Sequence, residues 1–159
     1  MQLQEPLHMN EIVDGLWLGS EDAATDVKWL DHFGIRHIIS LREPHLQKEI
    51  VNVELKDRTY HRFWINDKDS ADISQYFIPI IEIINQCFLF YVEKRTRVGT
   101  LSGRSYLIYR YRFPADDAIE FICRRRVVSP NDGFVKQLNI FAILLRYFGP
   151  YYNQTRSKP

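Results

Sequence analysis

The strongest constraint on the fold is a hydrophobic run that leads into a basic loop and then into the start of a helix. Residues 87–91 are continuously apolar, as a buried parallel strand is. A segment rich in Lys and Arg follows, and Gly103-Arg104-Ser105 then leads into a helix. In an α/β sheet, ligands bind where the carboxyl end of a central strand meets the N-terminus of a helix. The segment therefore predicts an α/β fold with an anion site after residue 91.

Strand and helix patterns alternate along the rest of the chain. Asp14-Gly15 is a two-residue hairpin signal, and residues 35–41 and 60–65 have the composition of strands. Four segments carry apolar residues at helical spacing: Ala23, Val27 and Leu30; Ile73, Phe77, Ile80, Ile81 and Ile84; Ala118, Ile119 and Ile122; and Phe134, Leu138, Phe141 and Leu145. This alternation predicts an α/β fold, with a central parallel or mixed sheet of about five strands flanked by helices.

Residues with capping preferences set the expected helix ends. Ser20 is a candidate N-cap, and Gly34 is expected to stop the first helix. Pro114 is expected to open a short helix, and Asn131 to cap the last one. We expect one domain over residues 11–149, with an N-terminal extension over 1–10 and a C-terminal tail over 150–159.

Composition excludes several classes of protein. The net charge of +1 argues against bulk attraction to nucleic acid or to acidic membranes, and no apolar stretch reaches the length of a membrane span. The two cysteines provide no disulfide framework, which predicts a reducing compartment and a cytoplasmic or nuclear protein. The five histidines are scattered and do not have metal-ligand spacing, so we expect neither a metal nor another cofactor.

Four segments together resemble the dual-specificity protein phosphatases, over roughly residues 11–147. They are residues 12–19, 34–41, 66–77 and 124–138. In that family a cysteine thiolate at the strand end attacks phosphorus, and an Arg six positions later binds the phosphate oxygens. Backbone N–H groups of the loop and that Arg also lower the thiol pKa. The resemblance implies the same fold, with Asp67 at the position of the general acid.

The chain has no nucleophile in either possible register of the loop. One register keeps residues 87–91 as the central strand, so that Tyr91 replaces the cysteine and Thr96-Arg97 replaces the Ser-Arg pair. The other anchors on Gly103-Arg104-Ser105 and puts Val98 at the nucleophile position. We favour the first, because the second makes a Lys- and Arg-rich segment the buried strand. A hybrid with a lengthened loop that ends at Arg104 remains open.

Each candidate site residue has a functional and a structural interpretation. Arg97, Arg104, Ser105 and Thr96 are the candidate phosphate-binding residues, although a solvated basic loop is the competing interpretation. Asp67 is a vestigial general acid or an ordinary loop residue. Cys87 and Cys123 are expected to be small buried hydrophobes.

The missing thiolate leaves three functional hypotheses. The first is a catalytically dead, STYX-like pseudophosphatase that acts as a protein-interaction module. The second is a reader that binds phosphorylated protein without hydrolysing it. The third is a weak protein phosphatase with displaced catalytic residues. We expect a protein partner, possibly a phosphoprotein.

Overall fold

The computed structural model of the chain describes residues 9–44, 56–89, 95–98, 100–126 and 129–154. The strands are β1 (Met9–Val13), β2 (Leu16–Gly19), β3 (Ile35–Arg42), β4 (Thr59–Trp64) and β5 (Arg95–Val98). The helices are α1 (Glu21–Thr25), α2 (Val27–His32), α3 (Ser74–Leu89), α4 (Thr100–Tyr111), α5 (Ala115–Cys123) and α6 (Asp132–Gln154).

The five strands form one mixed sheet in the order β1-β2-β5-β3-β4. β1 and β2 are the predicted antiparallel hairpin, and Gly15 supplies the positive φ of 77° that its turn requires. The other neighbours, β2–β5, β5–β3 and β3–β4, are parallel. The predicted α/β sheet of about five strands is therefore confirmed.

Side-chain alternation on the strands assigns helices to both faces of the sheet. Trp17 and Ile38 pack in a cluster with residues of α1 and α2. Their sequence neighbours Leu16 and Ile39 pack in a different cluster, with residues of α3 and α4. Because successive side chains of a strand point to opposite faces, α1 and α2 cover one face, and α3 and α4 the other. The remaining helices, α5 and α6, pack on α4.

The predicted first helix is divided in two. Asp26 lies between α1 and α2, and its Oδ1 atom accepts a hydrogen bond from the Trp29 N–H at 3.3 Å. This capping interaction starts a new helix. As a result Val27 is 45% exposed and does not share the buried face of Ala23 and Leu30.

The prediction that residues 87–91 form the central strand is wrong. The central strand is β5, Arg95–Val98, which pairs with both β2 and β3. Cys87 belongs to α3, where it is 7% exposed and continues the helical spacing of the buried residues Phe77, Ile80 and Ile84. A short apolar run cannot distinguish a strand from the end of a buried helix; here residues 87–89 belong to α3, and residues 90 and 91 lie outside the described residues.

The expected starts of the last two helices are confirmed. Pro114 is the N-cap residue of α5, and Asn131 Oδ1 accepts a hydrogen bond from the Phe134 N–H at 2.8 Å at the start of α6. β1 begins at Met9 and α6 continues to Gln154, so both elements extend across the predicted domain limits, which stay predictions. Among the described helices, none is long and apolar enough to span a membrane.

Candidate anion site at the end of the central strand

The β5–α4 junction has the strand-to-helix geometry of an anion site. β5 ends at Val98 and α4 begins at Thr100, directly after the central strand of the sheet. The N-terminus of a 12-residue helix presents backbone N–H groups that have no acceptor within the helix. This geometry matches the register that anchors on Gly103-Arg104-Ser105. The favoured register, with Tyr91 at the nucleophile position, is wrong.

Arg104 is the most deeply buried charged side chain of this site. It is 1% exposed, and its Nε and Nη2 atoms have no hydrogen-bond partner among the described residues. The guanidinium forms a hydrogen bond with the Cys123 side chain at the end of α5. Burial lowers the pKa of Arg104, and the contact with Cys123 opposes that shift. An arginine stays protonated in proteins, so a positive charge lies in the interior with unused donors.

Ser102 and Ser105, which are close to Arg104 in the sequence, are also buried. The Oγ atom of Ser102 has no hydrogen-bond partner among the described residues, whereas Ser105 Oγ donates to the Ser102 carbonyl at 3.0 Å. Buried donors without a partner are rare in folded proteins, and each of them needs a physical explanation. An oxyanion is an acceptor that suits the unused donors of the Arg104 guanidinium.

Asp67 is held at the same edge of the sheet. It follows β4, which runs parallel to β3 and therefore parallel to β5, so the carboxyl ends of β4 and β5 meet at one edge. Its Oδ1 atom accepts a hydrogen bond from Asn131 Nδ2 at 2.7 Å, and its backbone N–H donates to Glu43 Oε1 at 3.3 Å. Asn131 thus joins the Asp67 loop to the start of α6.

The predicted site residues separate into two groups. Arg104 and Ser105 lie at the start of α4, as one register required. Thr96 and Arg97 lie within β5 and not in a loop after it, which corrects the loop placement expected for them. Tyr91 lies outside the described residues.

Ser102 and Cys123 were missed as members of the site. Ser102 follows from the correct register, since it lies two residues before Arg104. The contact of Cys123 with Arg104 has no signal in the sequence, because it depends on how α5 packs against α4. In the described part of the chain, no group of three His, Cys, Asp or Glu side chains is arranged to hold a metal ion.

Known proteins that are similar to this chain include dual-specificity phosphatases. The model of the "Dual specificity phosphatase, catalytic domain" matches residues 16–143. The chain is 28% identical over 143 residues to the dual specificity protein phosphatase MPK-4 of Drosophila melanogaster, covering 86% of this chain and 36% of that protein. It is 29% identical over 146 residues to a probable rhodanese domain-containing dual specificity protein phosphatase of Dictyostelium discoideum, covering 83% and 28%. The chain therefore spans about a third of the length of these relatives.

Solved structures show the same fold. The human tyrosine phosphatase-like serine/threonine/tyrosine-interacting protein superimposes with a TM-score of 0.77 at 24% identity, over 91% of this chain and 97% of that one. DUSP15 superimposes with a TM-score of 0.79 at 25% identity, over 94% and 97%.

Proposed function

This chain belongs to the dual-specificity phosphatase family, and from that premise we propose that it is a pseudophosphatase, which does not hydrolyse phosphoesters and acts as a protein-interaction module. The observation that carries this proposal is Val98 at the end of the central strand, six residues before Arg104. A valine side chain has no lone pair with which to attack phosphorus. Cys87 lies in α3 and not in the segment that joins β5 to α4.

The name of one structural relative is consistent with this role. The human protein is described as phosphatase-like and as an interacting protein. That description concerns the human protein. It supports an analogous role here, since both chains share the fold and this one lacks a thiol at the strand end.

A turnover assay tests the absence of catalysis. We expect the native chain to hydrolyse an aryl phosphate no faster than a matched preparation that lacks this protein. Cys123→Ser is the informative variant, because Cys123 is bonded to the arginine of the site. Turnover that co-purifies with the folded chain and disappears in Cys123→Ser would overturn the proposal and establish a displaced nucleophile.

A second function, the phospho-residue reader, is favoured by one specific observation. The Arg104 guanidinium is buried in the first half of α4, and two of its nitrogens have no hydrogen-bond partner among the described residues. These groups suit the oxygens of a phosphate group. In this role the domain binds a phosphorylated protein partner and releases it unchanged.

Thermal unfolding in different anions separates the two roles. If the site binds phosphate, the melting temperature of the native chain rises in phosphate relative to chloride at equal ionic strength. A concentration of about 100 times Kd adds about 2.7 kcal/mol. Arg104→Met should abolish this rise, whereas Arg124→Met, at a side chain that is 73% exposed, should keep it. A native chain that responds equally to phosphate and chloride has no phosphate site and remains an interaction module alone.

A further inference from the structure

Most of the exposed large apolar side chains belong to one helix. Seven such side chains are exposed in the described part of the chain, and five of them are on α6: Ile140, Ile143, Leu144, Tyr147 and Phe148. Their exposures range from 48% for Leu144 to 68% for Tyr147. Isolated exposed hydrophobes are ordinary, but this concentration on a single element indicates a surface that binds a partner.

The five side chains form a continuous ridge along α6. Residues 140, 144 and 148 follow one another at four-residue spacing, and residues 143 and 147 form a second such row beside them. Rows at this spacing are the ridges by which helices pack on one another. The ridge contains no charged residue, and Arg146 lies on its flank beside Ile143.

A groove runs beside the ridge, between α6 and α3. It has a volume of about 580 Å³, and Phe77, Ile78 and Phe141 line it together with ridge residues. Its polar lining includes Asp72 and Gln137. Three ridge side chains therefore form one wall of an apolar groove, so that a convex and a concave apolar surface lie side by side.

The exposed apolar area approaches what a stable interface needs. From the exposed fractions, the five ridge side chains present on the order of 600 Å², the upper end of the largest patch on a typical monomer. The groove lining adds to this area. Each partner in a stable complex buries about 800 Å².

We propose that this surface pairs with a second copy of the chain. The proposed two-fold axis is parallel to α6 and lies between the ridge and the groove. It places the ridge of each copy in the groove of the other copy. The two α6 helices are then parallel, and Leu144 lies near the axis because it is the middle one of the three residues that belong to both ridge and groove, Ile140, Leu144 and Phe148. A face without charged ridge residues suits a homodimer, whose interfaces are more apolar than those of transient complexes.

Sedimentation of the purified chain tests this pairing. We expect a reversible monomer–dimer equilibrium in the micromolar range. Ile143→Glu places two like charges within the apolar interface and should weaken dimerisation by at least about 100-fold. Val27→Glu is the matched control, because Val27 is 45% exposed on α2, on the other face of the sheet, and this variant should dimerise like the native chain.

Disulfide trapping provides a second measurement that does not depend on the charge substitution. Leu144→Cys should form covalent dimers under mild oxidation, while Val27→Cys should not. Circular dichroism verifies that each variant is folded. A native chain that stays monomeric throughout the micromolar range, or folded Ile143→Glu and Val27→Glu variants that dimerise equally, overturns the proposal.

Discussion

Arg104 carries an unusual energetic cost for a single residue. A buried charge without complete hydrogen bonding is destabilising, and replacing such a group by an apolar side chain of similar size is often neutral or stabilising. Among the residues that the structure describes, two of the three guanidinium nitrogens have no hydrogen-bond partner, and the guanidinium forms a hydrogen bond with the Cys123 thiol. This incomplete hydrogen bonding is the reason for assigning Arg104 to the proposed anion site.

The first prediction concerns the stability of an Arg104 variant, measured by chemical unfolding in chloride buffer. Arg104→Met should change the free energy of unfolding by less than about 1 kcal/mol, or increase it. Urea unfolding of the native chain and the variant measures the difference. A loss of about 3 kcal/mol or more would show that the guanidinium is already satisfied in the folded chain.

Val98 is the second residue whose chemistry can be tested. Val98→Cys places a thiol six residues before Arg104 at the end of β5, where the arginine and the helix N-terminus favour a thiolate. We expect this variant to hydrolyse an aryl phosphate measurably faster than the native chain. Tyr91→Cys is the control for the rejected register and should show no gain. A gain in Tyr91→Cys alone would reverse the assignment of the loop.

At the scale of elements, two histidines link β3 and β4. His37 Nδ1 and His61 Nε2 are 3.4 Å apart, and the two rings are stacked. One N–H between two neutral rings can be shared as a hydrogen bond, whereas two protonated rings repel each other. Burial lowers the pKa of His61 below its usual value of about 6.5.

The pH dependence of stability follows from this shift. Below about pH 6.5 the unfolded chain binds a proton at His61 more readily than the folded chain does, so unfolding is favoured as the pH falls. The stability that neutral His61 contributes is fully present above about pH 6.5 and is lost as the pH falls below it. Urea unfolding between about pH 7.5 and pH 5.5 should therefore show a smaller loss of stability for His61→Gln than for the native chain. His32→Gln, which removes an exposed imidazole on α2, provides the control for the substitution itself.

At the scale of the whole molecule, the start of α6 is packed tightly on the loop that carries Asp67. A Cβ atom on Gly133 would overlap the Asp69 carbonyl oxygen. The hydrogen bonds of Asn131 to Asp67 and of Gln137 to Ala71 hold the same two segments together. The position of the Asp67 loop therefore depends on a helix that begins 65 residues later in the chain.

Alanine substitutions at two glycines of α6, Gly133 and Gly149, test how tightly the start of this helix is packed. Gly133→Ala should lower the free energy of unfolding by about 3 kcal/mol, because backbone must move to relieve the overlap. Gly149→Ala meets only the Arg112 side chain at 3.3 Å, which can shift. Its loss should stay below about 1 kcal/mol, since alanine favours the helix. Equal losses in the two variants would contradict the proposed packing.

Local sequence patterns predicted much of the architecture. The Asp14-Gly15 turn, the cap at Asn131 and the helical spacing from Ile73 to Ile84 each depend on neighbours within a few residues, and all three are present. The sequence patterns did not predict the division of the first helix at Asp26, although aspartate is a common N-cap residue. The same local signals had favoured a continuous stripe from Ala23 to Leu30.

By itself the sequence determined the alternation of strands and helices and the absence of cysteine six residues before either candidate arginine, because these are properties of residues close together in the chain. Only the tertiary structure decided that Arg95–Val98 is the central strand, since strand pairing depends on β2 and β3, far away in sequence. The same holds for the contact of Arg104 with Cys123 and for the exposed ridge of α6. Both result from how helices pack on one another, and a local pattern cannot specify which neighbour a helix face meets.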